Sequence, residues 1–278
     1  MSQNSLDGPQ SYEGTWEKLS QVTVKGAEYD SRECQPHPKC LQGTRVTLLD
    51  QIHRLLDSRE QNQLIWLHGM VGIGKSAIAF SIAERMRVLR VQEQVTSEKW
   101  LLGSFFFSCK HGKHCTMSYF FVTLAYQLAI NFLNIWEDVH KAICDNPTLL
   151  DPDKSFRGQM EELFLQPLRR LCYRLCQCLP SVFVVDVLDE CIVTEVADLI
   201  SLLSQALREP GLPVIHILFT SRLEEHIHKA IQNEDMHVLV CEIPVNTSGT
   251  GVAATISVDN ANVDNDIHIY LEHSFRQL

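Results

Sequence analysis

Positive charge is scarce in this chain. Its 278 residues carry 24 Lys and Arg against 34 Asp and Glu, a formal charge of −10. A sequence-independent nucleic-acid binder needs a basic field, so the balance argues against direct nucleic-acid contact. It leaves room for a phosphorylated small molecule, because local charge decides that. A secretory signal is missing too, since the opening MSQNSLDGPQ has no apolar core. The ten cysteines therefore read as free thiols of a reducing cytoplasm, not as a disulfide framework. No internal repeat of about 20–50 residues appears. The run Thr116–Trp136 lacks charged residues, yet Thr123, Gln127, Asn131 and Asn134 recur at steps of four, four and three. That spacing predicts a polar stripe on an amphipathic helix packed against a soluble core, and no membrane span.

What is present is an alternation. Residues 1–40 are polar and without sustained periodicity, and CQPHPKC (Cys34–Cys40) reads as a connector. Val46, Leu49, Ile52, Leu55 and Leu56 mark a helix, with Thr44 as its N-cap. Apolar runs at 64–68, 101–108, 181–187, 214–221 and 237–243 predict five strands. Helices are expected over 75–89, two or three within 117–175, and over 193–207 and 223–232. Continuous apolar strands alternating with helices indicate an α/β protein whose mainly parallel sheet is covered on both faces. After Pro244 the chain becomes small and polar until a last helix expected over 267–275.

Between the first strand and its helix stands GMVGIGKS, which fits G-x-x-x-x-G-K-[ST]. Such a loop cradles phosphates with Gly69, Met70, Val71, Gly72, Ile73, Gly74, Lys75 and Ser76. The glycines let the backbone turn its N–H groups inward, and the helix N-terminus adds positive potential. Lys75 can reach the β- and γ-phosphates, and the Ser76 hydroxyl can ligate Mg²⁺.

A Mg²⁺–nucleotide also calls for an acid on a neighbouring strand end. FVVDVLDE supplies Asp186, followed by Asp189 and Glu190 on a turn. Asp186 is assigned to the metal with Ser76, while Asp189 or Glu190 would orient or polarise an attacking water. Arg222, after the fourth strand, could sense the γ-phosphate. GTPases as a family read guanine with an [NT]-K-x-D segment, and its absence here favours ATP over GTP on that family expectation.

Together CLQGTRVTLLDQI (Cys40–Ile52), LIWLHGMVGIGKSAIA (Leu64–Ala79), GSFFFS (Gly103–Ser108), TLAYQLA (Thr123–Ala129), VFVVDVLDEC (Val182–Cys191) and HILFTSR (His216–Arg222) resemble the NACHT branch of the STAND signal-transduction NTPases. The likeness is closest to fungal members, whose nucleotide domain is described as nephrocystin-3-like. The resemblance implies a P-loop NTPase with strand order 5-1-4-3-2, binding ATP or ADP with Mg²⁺. It further implies Asp186 on the metal, Glu190 with Asp189 in hydrolysis, and Arg222 as sensor. Such proteins switch between an ADP-bound closed form and an ATP-bound oligomer, and in fungi are linked to non-self recognition and programmed cell death. Two positions depart from the family pattern: Val187 stands where a small residue is usual, and Cys109 where an Arg is expected.

Three divisions follow: a polar leader over 1–40, the NTPase core over 41–243, and a loop with the start of a truncated helical domain over 244–278. The expected function is a nucleotide-dependent switch with slow or conditional hydrolysis, working through self-association or signalling partners. The alternatives are a constitutive ATPase or kinase, and a hydrolysis-deficient binding module. CKHGKHC (Cys109–Cys115) crowds four candidate zinc ligands into seven residues and is set aside as a polar loop. Cys172, Cys176 and Cys178 are read as ordinary helix thiols.

Overall fold

The structure is a computed structural model describing residues 9–34, 39–59, 63–92, 100–108, 110, 112–113, 115–175, 180–232, 239–245 and 260–276. Five strands form the centre: β1 (Gln63–Gly69), β2 (Trp100–Phe106), β3 (Ser181–Asp186), β4 (Ile215–Ser221) and β5 (Val240–Val245). They lie in the order β2-β3-β4-β1-β5, and every pairing is parallel. This is the expected 5-1-4-3-2 arrangement counted from the other edge. β3 and β4 are buried along their whole length, as strands covered on both faces must be.

Strand alternation divides the core in two. Ile65, Leu67, Val182, Val184 and Leu218 point toward α2 (Val46–Leu56) and α3 (Lys75–Gln92), meeting Leu48, Ile52, Ile78 and Ile82. Leu64, Trp66, Phe183, Val185 and Phe219 point the other way. There they meet α4 (Phe120–Asn131), α5 (Leu133–Asp145), α7 (Gln166–Leu175), α8 (Val193–Arg208) and α9 (Glu225–Ile231). The short α6 (Phe156–Gln159) runs through a π-helical turn at Met160–Leu165 into α7.

The structure differs from the sequence reading at four places. Residues Pro9–Val22 of the polar leader form a helix, α1, whose Leu19 is fully buried. Its Trp16 stacks on Tyr126 at 4.8 Å and meets Trp136 edge-on at 4.9 Å. The run Thr116–Trp136 holds two helices, α4 and the start of α5, divided at Phe132. The first two positions of its polar stripe do not face water. Thr123 and Gln127 are buried, and Gln127 bonds both backbone groups of Ser104 on edge strand β2. Thr44 is not the N-cap of α2: its hydroxyl turns back to the Leu41 carbonyl at 2.7 Å, and Arg45 occupies the cap with φ 56°. Finally the last helix is longer than expected: α10 spans Asn260–Phe275.

Among the described residues, no helix is long and apolar enough to cross a membrane. Cys109, His111 and His114 of the set-aside zinc reading lie outside the described residues, as do Cys176 and Cys178.

Candidate functional site

The loop Gly69–Ser76 runs from the end of β1 into α3, at the C-terminal edge of the sheet. Gly72 and Gly74 have φ of 80° and 91°, the left-handed region where a side chain costs energy. Nothing crowds either glycine, so backbone handedness alone requires them. Gly69 is needed for a different reason. A Cβ there would sit 2.6 Å from the Val245 carbonyl oxygen of β5. Met70 and Val71 at the loop tip are exposed. Lys75 folds back over the loop, its Nζ 2.8 Å from the carbonyls of both Gly69 and Met70. Burial lowers its pKa, opposed by the nearby charges of Asp189 and Asp186.

Asp186 ends β3 and is buried, with 1% of its surface exposed. Thr220 of β4 donates to its Oδ1 at 2.5 Å, and the Ser76 hydroxyl lies near enough on the P-loop side to favour its charged form. Burial pushes the Asp186 pKa up to about 6, with Thr220, Ser76 and Lys75 pulling it down and Asp189 adding to the rise. Thr220 Oγ1 also accepts the Val187 N–H at 3.0 Å, so one hydroxyl fixes both the carboxylate and the chain leaving it.

That chain turns sharply. Val187 adopts φ 57°, ψ 49°, and a 3₁₀ turn follows over Leu188–Glu190. The turn buries Leu188 and brings Asp189 toward the end of β4. The Asp189 carboxylate accepts the Arg222 N–H at 2.9 Å and pairs with its Nε at 3.0 Å. Asp189 is 4% exposed and Arg222 48%, so the acid is enclosed while the guanidinium reaches outward. Glu190 is half-buried on the same turn, its N–H bonded to the Val187 carbonyl. The structure thus joins Lys75, Ser76, Asp186 and Asp189 in one electrostatic cluster, with Arg222 held by Asp189.

Sequence reasoning assigned no role to several neighbours. His68 directly precedes the loop, its Nε2 2.8 Å from Glu242 on β5. Burial lowers its pKa against the pull of Glu242, which favours a neutral ring. Behind the loop lies a cavity of about 390 Å³ lined by Leu41, Thr44, Ile73, Ala77, Tyr270 and Leu271, among others. Three segments far apart in sequence build it. The only early signal was the quoted GTRV stretch, whose Arg45 carried no assignment.

The donor set suits a hard cation beside phosphates: a buried carboxylate and a hydroxyl, both oxygen, next to a glycine loop and a lysine. Among the described residues no group of three or more His, Cys, Asp or Glu could hold a metal.

No sequence among curated proteins matches the chain. Solved structures align with it at low identity. A chain of Drosophila ORC bound to GC-rich DNA and Cdc6 aligns at 10% identity and TM-score 0.43, over 96% of this chain and 36% of that one. A structure of C. elegans PCH-2 aligns at 16% identity and TM-score 0.29, over 86% of this chain and 50% of that one. This chain therefore spans half or less of either. The family model described as nephrocystin 3, N-terminal, matches residues 43–222, from the approach to α2 through the P-loop and Asp186 to Arg222. The chain belongs to the nephrocystin 3 N-terminal family.

Proposed function

We propose that this chain binds ATP and ADP with Mg²⁺ and works as a NACHT-type signalling switch whose hydrolysis is slow or conditional. One observation carries the reading: the buried Asp186 carboxylate at the end of β3 sits beside the P-loop, where the Ser76 hydroxyl and the Lys75 ammonium both pull its pKa down. The phosphates fit the cradle of Gly69–Ser76, and the nucleotide base fits the largely apolar cavity behind it. Ser76 and Asp186 would hold Mg²⁺, which supplies charge neutralisation at the phosphates.

The remaining residues divide the work. Lys75 exchanges two loop carbonyls for phosphate oxygens. Glu190 is the residue we assign to the attacking water. Asp189, enclosed and bonded at two points to Arg222, serves instead as the positioning residue for that arginine. Arg222 then senses the γ-phosphate by leaving or keeping Asp189. Because the guanidinium is engaged in this state, hydrolysis would wait for a rearrangement, as a switch requires. The same engagement favours a second reading, a module that binds nucleotide and never turns it over. Self-association and a place in cell-death signalling are what the NACHT resemblance adds.

Nucleotide binding and turnover of the wild type, Lys75→Ala and Glu190→Gln test this. Lys75→Ala should lose nucleotide, and Glu190→Gln should keep ATP while hydrolysing it more slowly. Equal affinity in the wild type and Lys75→Ala would sink the proposal. Binding with no turnover in any form would select the second reading.

A further inference from the structure

α10 is held in an unusual way for a helix that lines a cavity. Its apolar residues are largely in water: Ile267 is 52% exposed, Tyr270 62% and Phe275 70%. Apolar burial therefore does little to fix it. Its polar attachment is tight. Both carboxylate oxygens of Asp266 accept the Arg45 backbone N–H, at 3.1 and 3.0 Å. The Arg45 Nε lies 3.7 Å from the same carboxylate. Both side chains are mostly enclosed, 20% and 15% exposed, which limits screening of the pair. The far end of Arg45 donates to the Ile73 carbonyl inside the P-loop at 3.1 Å. One arginine thus ties α10 to the phosphate loop, and Asp266 is its counterpart on the helix.

Arg45 has reason to depend on that partner. Its φ of 56° is left-handed, which disfavours a side chain and removes the N–H from ordinary helix-start geometry. No side chain of its own caps α2, and the carboxylate of Asp266 satisfies the exposed donor from 221 residues away. Beside it, Ile269 of α10 lies against Gly43, 3.6 Å from where a Cβ would be. The contact site is a clamp of one charged pair and one small-residue seat.

We propose that Asp266 is a positioning residue for the nucleotide base: through Arg45 it holds α10 as the outer wall of the base cavity. This rests on the proposed nucleotide binding, with the base in that cavity. Arg45 and Asp266 stand at the edge of the space the base would enter, and Tyr270 and Leu271, one turn beyond Asp266, line it with them. Releasing the clamp removes that wall and leaves the phosphate cradle standing, because the cradle is built by β1, α3 and their glycines. Binding of a base and closure of the clamp are therefore coupled, each strengthening the other.

Two probes separate the base from the phosphates. ADP uses cradle and cavity, whereas inorganic tripolyphosphate uses the cradle alone. In Asp266→Ala, ADP affinity should fall roughly tenfold, the scale of losing a charged hydrogen-bond acceptor. Tripolyphosphate affinity should stay within about twofold. Hydrogen exchange at the Arg45 amide supplies a readout independent of ligand. It should be slow in the wild type, fast in Asp266→Ala, and slowed further by ADP. Asp266→Asn, which keeps one acceptor oxygen, should fall between. Unchanged ADP affinity in Asp266→Ala, equal loss of both probes, or a fast-exchanging Arg45 amide in the wild type would each overturn the clamp. A wild type that binds neither probe would instead overturn the nucleotide reading on which the clamp rests.

Discussion

Asp186 is a carboxylate placed where water does not reach it, and two hydroxyls and a lysine only partly compensate. Its folded pKa of about 6 lies above the ordinary value of 3.8, so the folded chain binds the proton more tightly than the unfolded one. The acid therefore costs stability, fully above about pH 6 and not at all below the unfolded value. Asp186→Asn should stabilise the nucleotide-free protein at pH 7.5 by on the order of 3 kcal/mol. The gain should vanish as pH falls toward 4, as read from denaturation midpoints of the two proteins across that range. No gain at pH 7.5 would show that the native site already pays nothing for this charge. Its neighbour Val187 carries a second local cost. A β-branched residue at φ 57° is disfavoured by steric contact of its Cβ with the backbone. The small residue that the NACHT resemblance leads one to expect at this position has a physical reason here: the turn after Asp186 is left-handed. Val187→Gly should raise stability by about 1 kcal/mol, the left-handed penalty less the entropy of glycine, measured by urea unfolding. The identity of Val187 as an oddity could be read from the sequence, but the handedness that explains it could not.

At the scale of elements, α4 shows how a correct pattern can lead to a wrong environment. The steps of Thr123, Gln127 and Asn131 do mark one helical face. That face lies on the open edge of the sheet. Thr123 accepts the Val24 N–H at 3.1 Å, and Gln127 exchanges two hydrogen bonds with the Ser104 backbone. Asn131 donates to the Leu102 carbonyl at 3.3 Å. Gln127 and Asn131 thus satisfy groups that edge strand β2 would otherwise offer to another chain. Periodicity reports that a face exists, while its partner depends on contacts far apart in sequence. Replacing Gln127 with Leu should cost about 2 kcal/mol, because two buried backbone groups lose their partners. Thermal unfolding measures that loss, and aggregation through β2 should rise with it. A stability equal to wild type would show that water replaces the amide without penalty. The strands and the P-loop were legible for the opposite reason. Their signals are local: continuous apolar runs, and glycines at fixed offsets. α1 was hidden because its few anchors, Trp16 and Leu19, find their partners on α4 and α5. Thr44 was misplaced as a cap because the carboxylate that satisfies α2 belongs to Asp266.

For the molecule as a whole, an acidic chain concentrates opposed charges at one end of its sheet. Strand order brings β1, β3 and β4 side by side, so the loop Gly69–Ser76, the acid Asp186 and the arginine Arg222 converge from three separate strand ends. The order could be reached only through resemblance, whereas the alternation of strands and helices was open to direct reading. The cavity behind the P-loop was closed to both, since α10 supplies part of its wall after a long polar stretch. The central claim is that Ser76 and Asp186 together hold the metal of a bound nucleotide. Equilibrium titration of the wild type and Asp186→Asn with ATP, in Mg²⁺ and in its absence, tests that claim most directly. Mg²⁺ should tighten ATP binding by the wild type at least tenfold or so and leave Asp186→Asn nearly unchanged. The same Mg²⁺ dependence in both proteins, or no ATP binding by the wild type, would contradict it.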